Sequence, residues 1–106
     1  MDKETKLDIN CRIIDSILVH EDHFPYSKYT MYVIKFFTQF QDWEIKRRYK
    51  HFEELNSKLI KLKLASSKLP SKKLFNFSAD VINERMDCLE VYLNQILNKI
   101  QYLFTI

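Results

Sequence analysis

The chain has 106 residues, 46% of them hydrophobic and 29% charged, so it is long enough for one folded domain and too apolar for a disordered chain. It contains no glycine, which excludes the glycine-rich phosphate loops of common nucleotide-binding proteins, and it has no apolar run long enough to span a bilayer. The net charge of +3 is uneven, because residues 41–73 hold ten Lys and Arg against four Asp and Glu. A basic region of this kind attracts phosphates on lipid head groups or nucleic acid, and the plain alternative is a solvated basic face without a ligand.

Three β-strands are predicted in the first half of the chain. Residues 11–19 are rich in Ile and Val, 29–37 are dense in aromatic and β-branched residues, and 43–48 begin with alternating apolar and polar residues. The polar, proline-containing segment 20–28 separates the first two strands, and the short segment 38–42 predicts a tight reversal before the third. Short connections favour an antiparallel meander.

Two helices are predicted in the second half. The first spans roughly 50–62, because apolar residues recur every three or four positions at Phe52, Leu55, Leu59 and Leu62. Residues 63–79 mix Lys, Ser and Leu around Pro70 and are interpreted as an irregular loop. From residue 80 onwards a longer stripe predicts an amphipathic helix of about five turns that packs on the core, formed by Ile82, Met86, Leu89, Leu93, Ile96 and Ile100. The expected fold is α+β, a three-stranded antiparallel meander packed against a helical subdomain.

The stretch 45–52, IKRRYKHF, gathers Lys46, Arg47 and Arg48 where the third strand gives way to the first helix. Strict strand alternation sends Arg48 and Tyr49 to opposite faces, so only a break in the strand at this junction lets both serve one pocket. An arginine suits a bound phosphate because its planar fork donates two parallel charge-assisted hydrogen bonds. The alternative is that the arginines form weak surface ion pairs with Glu44, Glu53 or Glu54.

Two further cations are candidates for the same pocket. Lys72 follows Pro70 in LPSKK, where the proline stiffens the loop. Arg85 lies on the margin of the apolar stripe of the long helix, three residues from Ile82 and four from Leu89, so it is placed to lean over the core edge into a cleft. The alternative for Arg85 is a simple surface ion pair with the neighbouring acidic residues.

The order IKRRYKHFEEL, KLPSKKLF and INERMDCLEVYL resembles the PX (phox-homology) domain, the phosphoinositide-binding module of sorting nexins and related proteins. The family pattern of Arg-Arg-Tyr/Phe followed by x-x-Phe stands here as Arg47, Arg48, Tyr49 and Phe52. A proline-rich loop ending in lysine and a helix carrying an arginine before an apolar run complete the resemblance. It covers nearly the whole chain, and we expect one PX-like domain over 1–106 with its core from about residue 8.

The resemblance implies a lipid head-group site of four residues. Arg48 corresponds to the arginine that contacts the 3-phosphate of the inositol ring, and Tyr49 to the aromatic residue that stacks under the ring. Lys72 matches the lysine that contacts the 1-phosphate, and Arg85 matches the arginine that hydrogen-bonds the ring hydroxyls at positions 4 and 5. This set implies a binder of phosphatidylinositol 3-phosphate that is cytoplasmic and peripherally associated with endosomal or vacuolar membranes.

The resemblance also implies that the segment between the helices inserts into lipid, and here the candidates are Leu64, Lys68 and Leu69. Apolar side chains would enter the membrane while lysines meet anionic head groups. The alternative is that Leu62 and Leu64 complete the packing of the first helix. The loop departs from the family pattern at Ser67, which replaces a proline, and at Asn76, which replaces a frequent glycine. Family members usually continue with more helix past this C-terminus, so the last helix is expected to be truncated here.

Other functions fit the sequence less well. A nucleic-acid-binding domain would use the same basic region but predicts a net charge well above +3. An enzyme is not expected, because His20 and His23 of HEDH lack a third metal ligand at motif spacing and no nucleophile–base pair is identifiable. No cofactor or metal is implied. The open alternative is a PX-like domain that binds other phosphoinositides, or that acts mainly through protein partners of its host protein.

The two cysteines, Cys11 and Cys88, form no CxxC pair, and the N-terminus has no apolar signal segment. Two free thiols in a reducing compartment are therefore expected.

Overall fold

A computed structural model of the chain describes residues 8–22, 27–64, 69 and 78–103. The elements follow one another as three strands and two helices: β1 (Asn10–Glu21), β2 (Ser27–Phe37), β3 (Asp42–Arg48), α1 (Tyr49–Lys61) and α2 (Ala79–Leu103). The predicted order and types of the five elements are confirmed, and so is the α+β fold class.

The three strands form one antiparallel sheet in the order β1-β2-β3, which is the predicted meander. The predicted reversal over 38–42 is confirmed and is organised by one residue. The Thr38 amide donates to the Gln41 carbonyl at 2.9 Å, and the Thr38 hydroxyl accepts from the Phe40 amide at 3.0 Å and from the Gln41 amide at 3.2 Å. A hydroxyl that satisfies loop amides in this way fixes the turn without glycine.

The β1–β2 hairpin is longer than the third strand. Pairing between β2 and β3 ends at Met31 and Arg48, whereas β1 and β2 continue to pair as far as Glu21 and Ser27. The part of the hairpin beyond Met31, which we call the overhang, consists of residues 18–21 and 27–30. It places Tyr29 past the end of β3, next to the start of α1.

The long helix α2 closes the outer edge of β1 with its polar side chains. Gln101 exchanges two hydrogen bonds with the backbone of Ile9 (2.8 and 3.0 Å), and Asn94 exchanges two with Cys11 (2.9 Å each). In addition, the Ile13 amide donates to a carboxylate oxygen of Glu90 at 2.8 Å. These side chains take the place of a fourth strand, because an exposed strand edge otherwise offers unpaired backbone groups to other chains.

The apolar core lies between the sheet and the two helices. Its most deeply buried side chains are Tyr32, Ile34, Leu89, Tyr92 and Cys11. Tyr92 also joins the helices, because its hydroxyl donates to the Asn56 side-chain oxygen at 2.7 Å. The stripe predicted for the long helix is confirmed as a core-packing surface at every position: Leu89, Leu93 and Ile96 are buried, and Ile82, Met86 and Ile100 pack against them.

The predicted length of the second helix was wrong. It has 25 residues, or about seven turns, because it extends beyond the apolar stripe at both ends. The helix begins after Ser78, whose hydroxyl accepts from the Val81 amide at 3.3 Å and whose carbonyl accepts from the Ile82 amide at 3.1 Å. A serine in this position satisfies amides of the first turn, so the helix begins one residue before the predicted start.

The end of α1 corrects the prediction for Leu62. Lys63 takes a left-handed backbone conformation (φ 59°), and the Leu64 amide then donates back to the Leu59 carbonyl at 2.8 Å. This is the Schellman termination of a helix, and it is usually made by glycine, which this chain lacks. It turns Leu64 onto the core beside Leu59 and leaves Leu62 66% exposed.

Candidate functional site

Strand β3 ends at the junction of Arg48 and Tyr49, where the sequence analysis predicted a break. Arg48 is the last residue of β3, with an extended backbone (φ −99°, ψ 167°), and Tyr49 is the first residue of α1. Arg48 thus occupies the N-cap position, and its amide donates to Nδ1 of His51 at 2.9 Å. The predicted break is confirmed, and His51 satisfies a backbone donor beside the helix start.

Arg48 is held by an aromatic ring of the overhang. Its guanidinium carbon lies 3.9 Å from the centroid of the Tyr29 ring. Within the described residues the guanidinium makes no hydrogen bond and no ion pair, so the tyrosine ring is its observed partner. Contact through the face of a guanidinium leaves its N–H donors, which lie in the plane of the group, available to an oxyanion.

Tyr49 and Arg85 come together from different helices. The guanidinium carbon of Arg85 lies 4.8 Å from the centroid of the Tyr49 ring. Burial raises the pKa of the Tyr49 hydroxyl, and the carboxylate of Glu53 raises it further, while Arg85 acts in the opposite direction. The ring therefore remains a neutral, half-buried surface with a cation over one face.

Tyr32 lies beneath this pair. It is fully buried, and burial raises the pKa of its hydroxyl, an effect that the neighbouring Arg85 guanidinium opposes. The hydroxyl and the Nε atom of Arg85 are both buried but do not meet in a well-formed hydrogen bond. Arg85 thus leans across the edge of the core between Tyr49 and Tyr32, in the direction that its place on the helix predicted.

The neighbouring arginines 47 and 48 have different surroundings. The Arg47 guanidinium donates to the Lys46 carbonyl at 2.8 Å and lines a mainly apolar cleft of about 240 Å³ together with His51, Phe52 and Leu55. This cleft lies between the sheet and the helices, whereas Arg48 lies against Tyr29 on the overhang. Successive strand residues point to opposite faces, which separates the two cations.

The ion pairs offered as an alternative for Arg47 and Arg48 are not found among the described residues. The ion pair that the structure shows on these strands joins Lys35 to Asp42 at 3.9 Å, at the far end of the β2–β3 pairing. Arg48 is therefore a half-buried cation without a carboxylate partner in that part of the chain.

Two of the predicted site residues cannot be placed. Lys72 and Lys68 lie outside the described residues. Leu64 and Leu69, predicted to insert into lipid, are half-buried and pack against the core cluster, and for Leu64 the cause is the Schellman turn at Lys63. Among the described residues of this region, the exposed apolar side chains are Ile60, at 58%, and Leu62, at 66%, next to the exposed Lys61 and Lys63.

Sequence reasoning missed Tyr29, Tyr32 and His51. The sequence marks the two tyrosines only as part of an aromatic strand, because their relation to Arg48 and Arg85 depends on strand register and helix position. The signal for His51 was its spacing, because it stands three residues after the N-cap position.

Two other features are absent from the described part of the chain. No helix there is long and apolar enough to cross a membrane. Nor do its His, Cys, Asp and Glu side chains form a group of three that could hold a metal ion, and His23 of HEDH is outside that part.

Comparison with known proteins identifies the family and the fold. The family model for the PX domain matches residues 35–103. A designed CISK-PX domain, solved by X-ray crystallography, is 28% identical, with a TM-score of 0.70 and 84% of each chain covered. The mouse SNX19 PX domain, crystallised with a bound sulphate ion, is 27% identical, with a TM-score of 0.62 and 84% of this chain and 82% of that chain covered.

Proposed function

This chain belongs to the PX domain family, whose members are generally phosphoinositide-binding, membrane-targeting modules, and we propose that it recognises phosphatidylinositol 3-phosphate. In this proposal it brings its host protein to endosomal or vacuolar membranes and associates with them peripherally. No catalytic step is part of the function.

The observation that carries the proposal is the state of Arg48. A half-buried guanidinium without a carboxylate or hydrogen-bond partner in the described chain is costly to desolvate, and a phosphate supplies the missing charge and acceptors. The mouse SNX19 PX domain, to which this chain is similar, was crystallised with a bound sulphate ion, a tetrahedral oxyanion like phosphate.

Tyr49, Arg85 and Lys72 complete the proposed binding site for the head group. In this proposal the inositol ring packs beside the Tyr49 ring on the side where Arg85 lies, and Arg85 donates to the ring hydroxyls at positions 4 and 5. Lys72 contacts the 1-phosphate in this proposal. The proposed preference for the lipid phosphorylated at position 3 alone depends on Arg85 meeting hydroxyls at positions 4 and 5 while it is held beside Tyr49 and Tyr32.

The end of α1 supplies the membrane contact. Ile60 and Leu62 expose apolar surface beside Lys61 and Lys63, so carbon can enter the interface while the lysines meet anionic head groups. Leu64 and Leu69 add to this contact only if they leave the core, which makes them secondary to Ile60 and Leu62.

The proposal is tested by co-sedimentation with phosphatidylcholine vesicles that each carry one phosphoinositide. We expect retention on vesicles with phosphatidylinositol 3-phosphate and much weaker retention on the others. Arg48→Ala should lower the affinity about 10- to 100-fold, because a hydrogen bond to a charged group contributes about 1.5–3 kcal/mol and each 1.4 kcal/mol is tenfold. Arg85→Ala should also weaken binding, and it should reduce the difference in affinity between phosphatidylinositol 3-phosphate and the other phosphoinositides.

Arg12→Ala is the matched control, because it removes the same charge from an exposed position on β1. It should bind almost as well as the natural sequence. If the natural domain does not distinguish the 3-phosphate lipid, or if Arg48→Ala and Arg12→Ala bind equally, the assignment of the site is wrong.

A further inference from the structure

Tyr29 stands outside the sequence pattern that marks the lipid site, yet the Arg48 guanidinium packs on its ring. It lies on the overhang, 19 positions before Arg48 in the chain, and the strand register brings the two together. Met31 pairs directly with Arg48, and Tyr29 is the next residue of β2 on the same face. The long reach of the hairpin is therefore what supplies the ring.

The contact restricts a side chain that would otherwise move freely. An arginine has many rotamers, and a ligand that binds it must fix one of them. With its carbon 3.9 Å from the Tyr29 centroid, the Arg48 guanidinium is already fixed against a surface before any ligand arrives. Attraction to the ring engages the face of the guanidinium and does not consume its N–H donors.

Among the described residues, the Tyr29 ring makes no cation–π or aromatic contact other than the one with Arg48. Its cross-strand neighbour is Val19, which offers an apolar contact only, and the ring contact recorded for Tyr29 is the one with Arg48. A tyrosine that only stabilised the overhang would not need a guanidinium over its ring.

We propose that Tyr29 is a positioning residue of the lipid site, which holds Arg48 by one face and presents its donors to the 3-phosphate. The overhang of the β1–β2 hairpin is thereby part of the site. This inference rests on the proposed function, but its first test does not need a lipid.

The lipid-free test follows the Arg48 side-chain Nε–H signal by NMR. A proton near an aromatic face is shifted by the ring current, so the signal should move in Tyr29→Leu and stay close to its natural position in Tyr29→Phe. An unchanged signal in Tyr29→Leu would show that the ring does not hold the guanidinium, whatever the domain binds.

The lipid test compares the same variants on vesicles with phosphatidylinositol 3-phosphate. Tyr29→Leu should lower affinity about three- to tenfold, in keeping with the loss of one cation–π contact, and Tyr29→Phe should restore it. Tyr29→Ile, which keeps a high strand propensity, is measured beside Tyr29→Leu so that a folding defect in one does not decide the result. Phe40→Leu is the control, because it makes a similar aromatic-to-leucine change at a residue that is 74% exposed in the β2–β3 turn.

The variants also separate this inference from the proposed function. If Arg48→Ala loses binding but Tyr29→Leu and Tyr29→Ile do not, the lipid site stands and the role of Tyr29 is wrong. If Tyr29→Phe is as weak as Tyr29→Leu, the hydroxyl acts directly and the positioning role is again wrong. In an Arg48→Lys background, Tyr29→Leu should have a smaller effect than in the natural sequence, because lysine lacks the planar group that packs on the ring. An equal effect in both backgrounds overturns the proposal.

Discussion

The two edges of the sheet differ in how far their polar groups are hydrogen-bonded within the chain. Along β1, backbone donors and acceptors are matched by Gln101, Asn94 and Glu90 of α2, with distances between 2.8 and 3.0 Å. Where β3 meets α1, the Arg48 guanidinium has neither hydrogen bond nor ion pair among the described residues. The first part of the β1 edge is satisfied by α2 and belongs to the scaffold, whereas the Arg48 guanidinium is available to a ligand.

The contrast has a simple physical basis. A buried polar group without a hydrogen-bond partner lowers the stability of the fold. The five hydrogen bonds at the β1 edge avoid this cost, whereas no such bond is made by the Arg48 guanidinium among the described residues. An unmatched cation that is nevertheless packed on an aromatic ring is a feature of a binding site more than of a scaffold. Changes at the β1 edge and in the core beneath it should therefore affect stability, and changes at Arg48 should affect binding.

The largest expected effect on stability comes from Leu89→Ala. Leu89 is fully buried under the sheet, and removal of such a side chain typically costs about 2–5 kcal/mol of unfolding free energy. Urea denaturation measures the change. Arg48→Ala should instead change the unfolding free energy by no more than about 1 kcal/mol, in keeping with the loss of one cation–π contact.

Val91→Ala is the control for Leu89→Ala, because Val91 lies on the same helix and is 56% exposed. It should leave stability nearly unchanged. A strong destabilisation by Arg48→Ala would contradict the comparison, since it would make the junction part of the scaffold.

A smaller loss is expected from Asn94→Ala, which removes both hydrogen bonds to the backbone of Cys11. The unmatched amide and carbonyl at the β1 edge should cost about 1–3 kcal/mol. Asn98→Ala is the matched control, because Asn98 is exposed on the same helix. Thermal unfolding should separate the two variants, and head-group preference should be the same in both. Equal melting temperatures would show that the side chain of Asn94 does not support the edge.

The sequence predicted the scaffold better than it predicted the site. Strands and helices were recognised because periods of two and of about 3.6 residues are local signals, as in the stripe that contains Leu89. Arg48 and Tyr49 were identified by their place in a motif. Tyr29 was not, because its contact with Arg48 depends on a register set by the whole hairpin. The burial of Leu62 and Leu64 differs from the prediction for another reason: in a chain without glycine, the left-handed position falls to Lys63.

The smallest expected effect on stability concerns Cys11, a buried residue of the β1 edge. Burial raises the pKa of the Cys11 thiol from its ordinary value of 9.0 to about 11, and the carboxylate of Glu90 adds to the shift. Because the folded pKa is the higher one, the neutral thiol is favoured in the fold and stability is unaffected below about pH 9. As pH rises from 9 towards 11 the unfolded chain loses this proton first, so stability falls, by about 1 kcal/mol at pH 10.

Unfolding by urea at pH 8 and at pH 10 measures this loss, with Cys11→Val as the reference that lacks the thiol. Tyr32 and Tyr92 also have raised pKa values and contribute to both proteins alike, so the difference between the two proteins isolates Cys11. Cys88→Ala, which changes the exposed free thiol, should behave as the natural sequence does. If the natural protein and Cys11→Val lose the same stability between the two pH values, then Cys11 is open to water and the β1 edge is not the closed structure that its hydrogen bonds indicate.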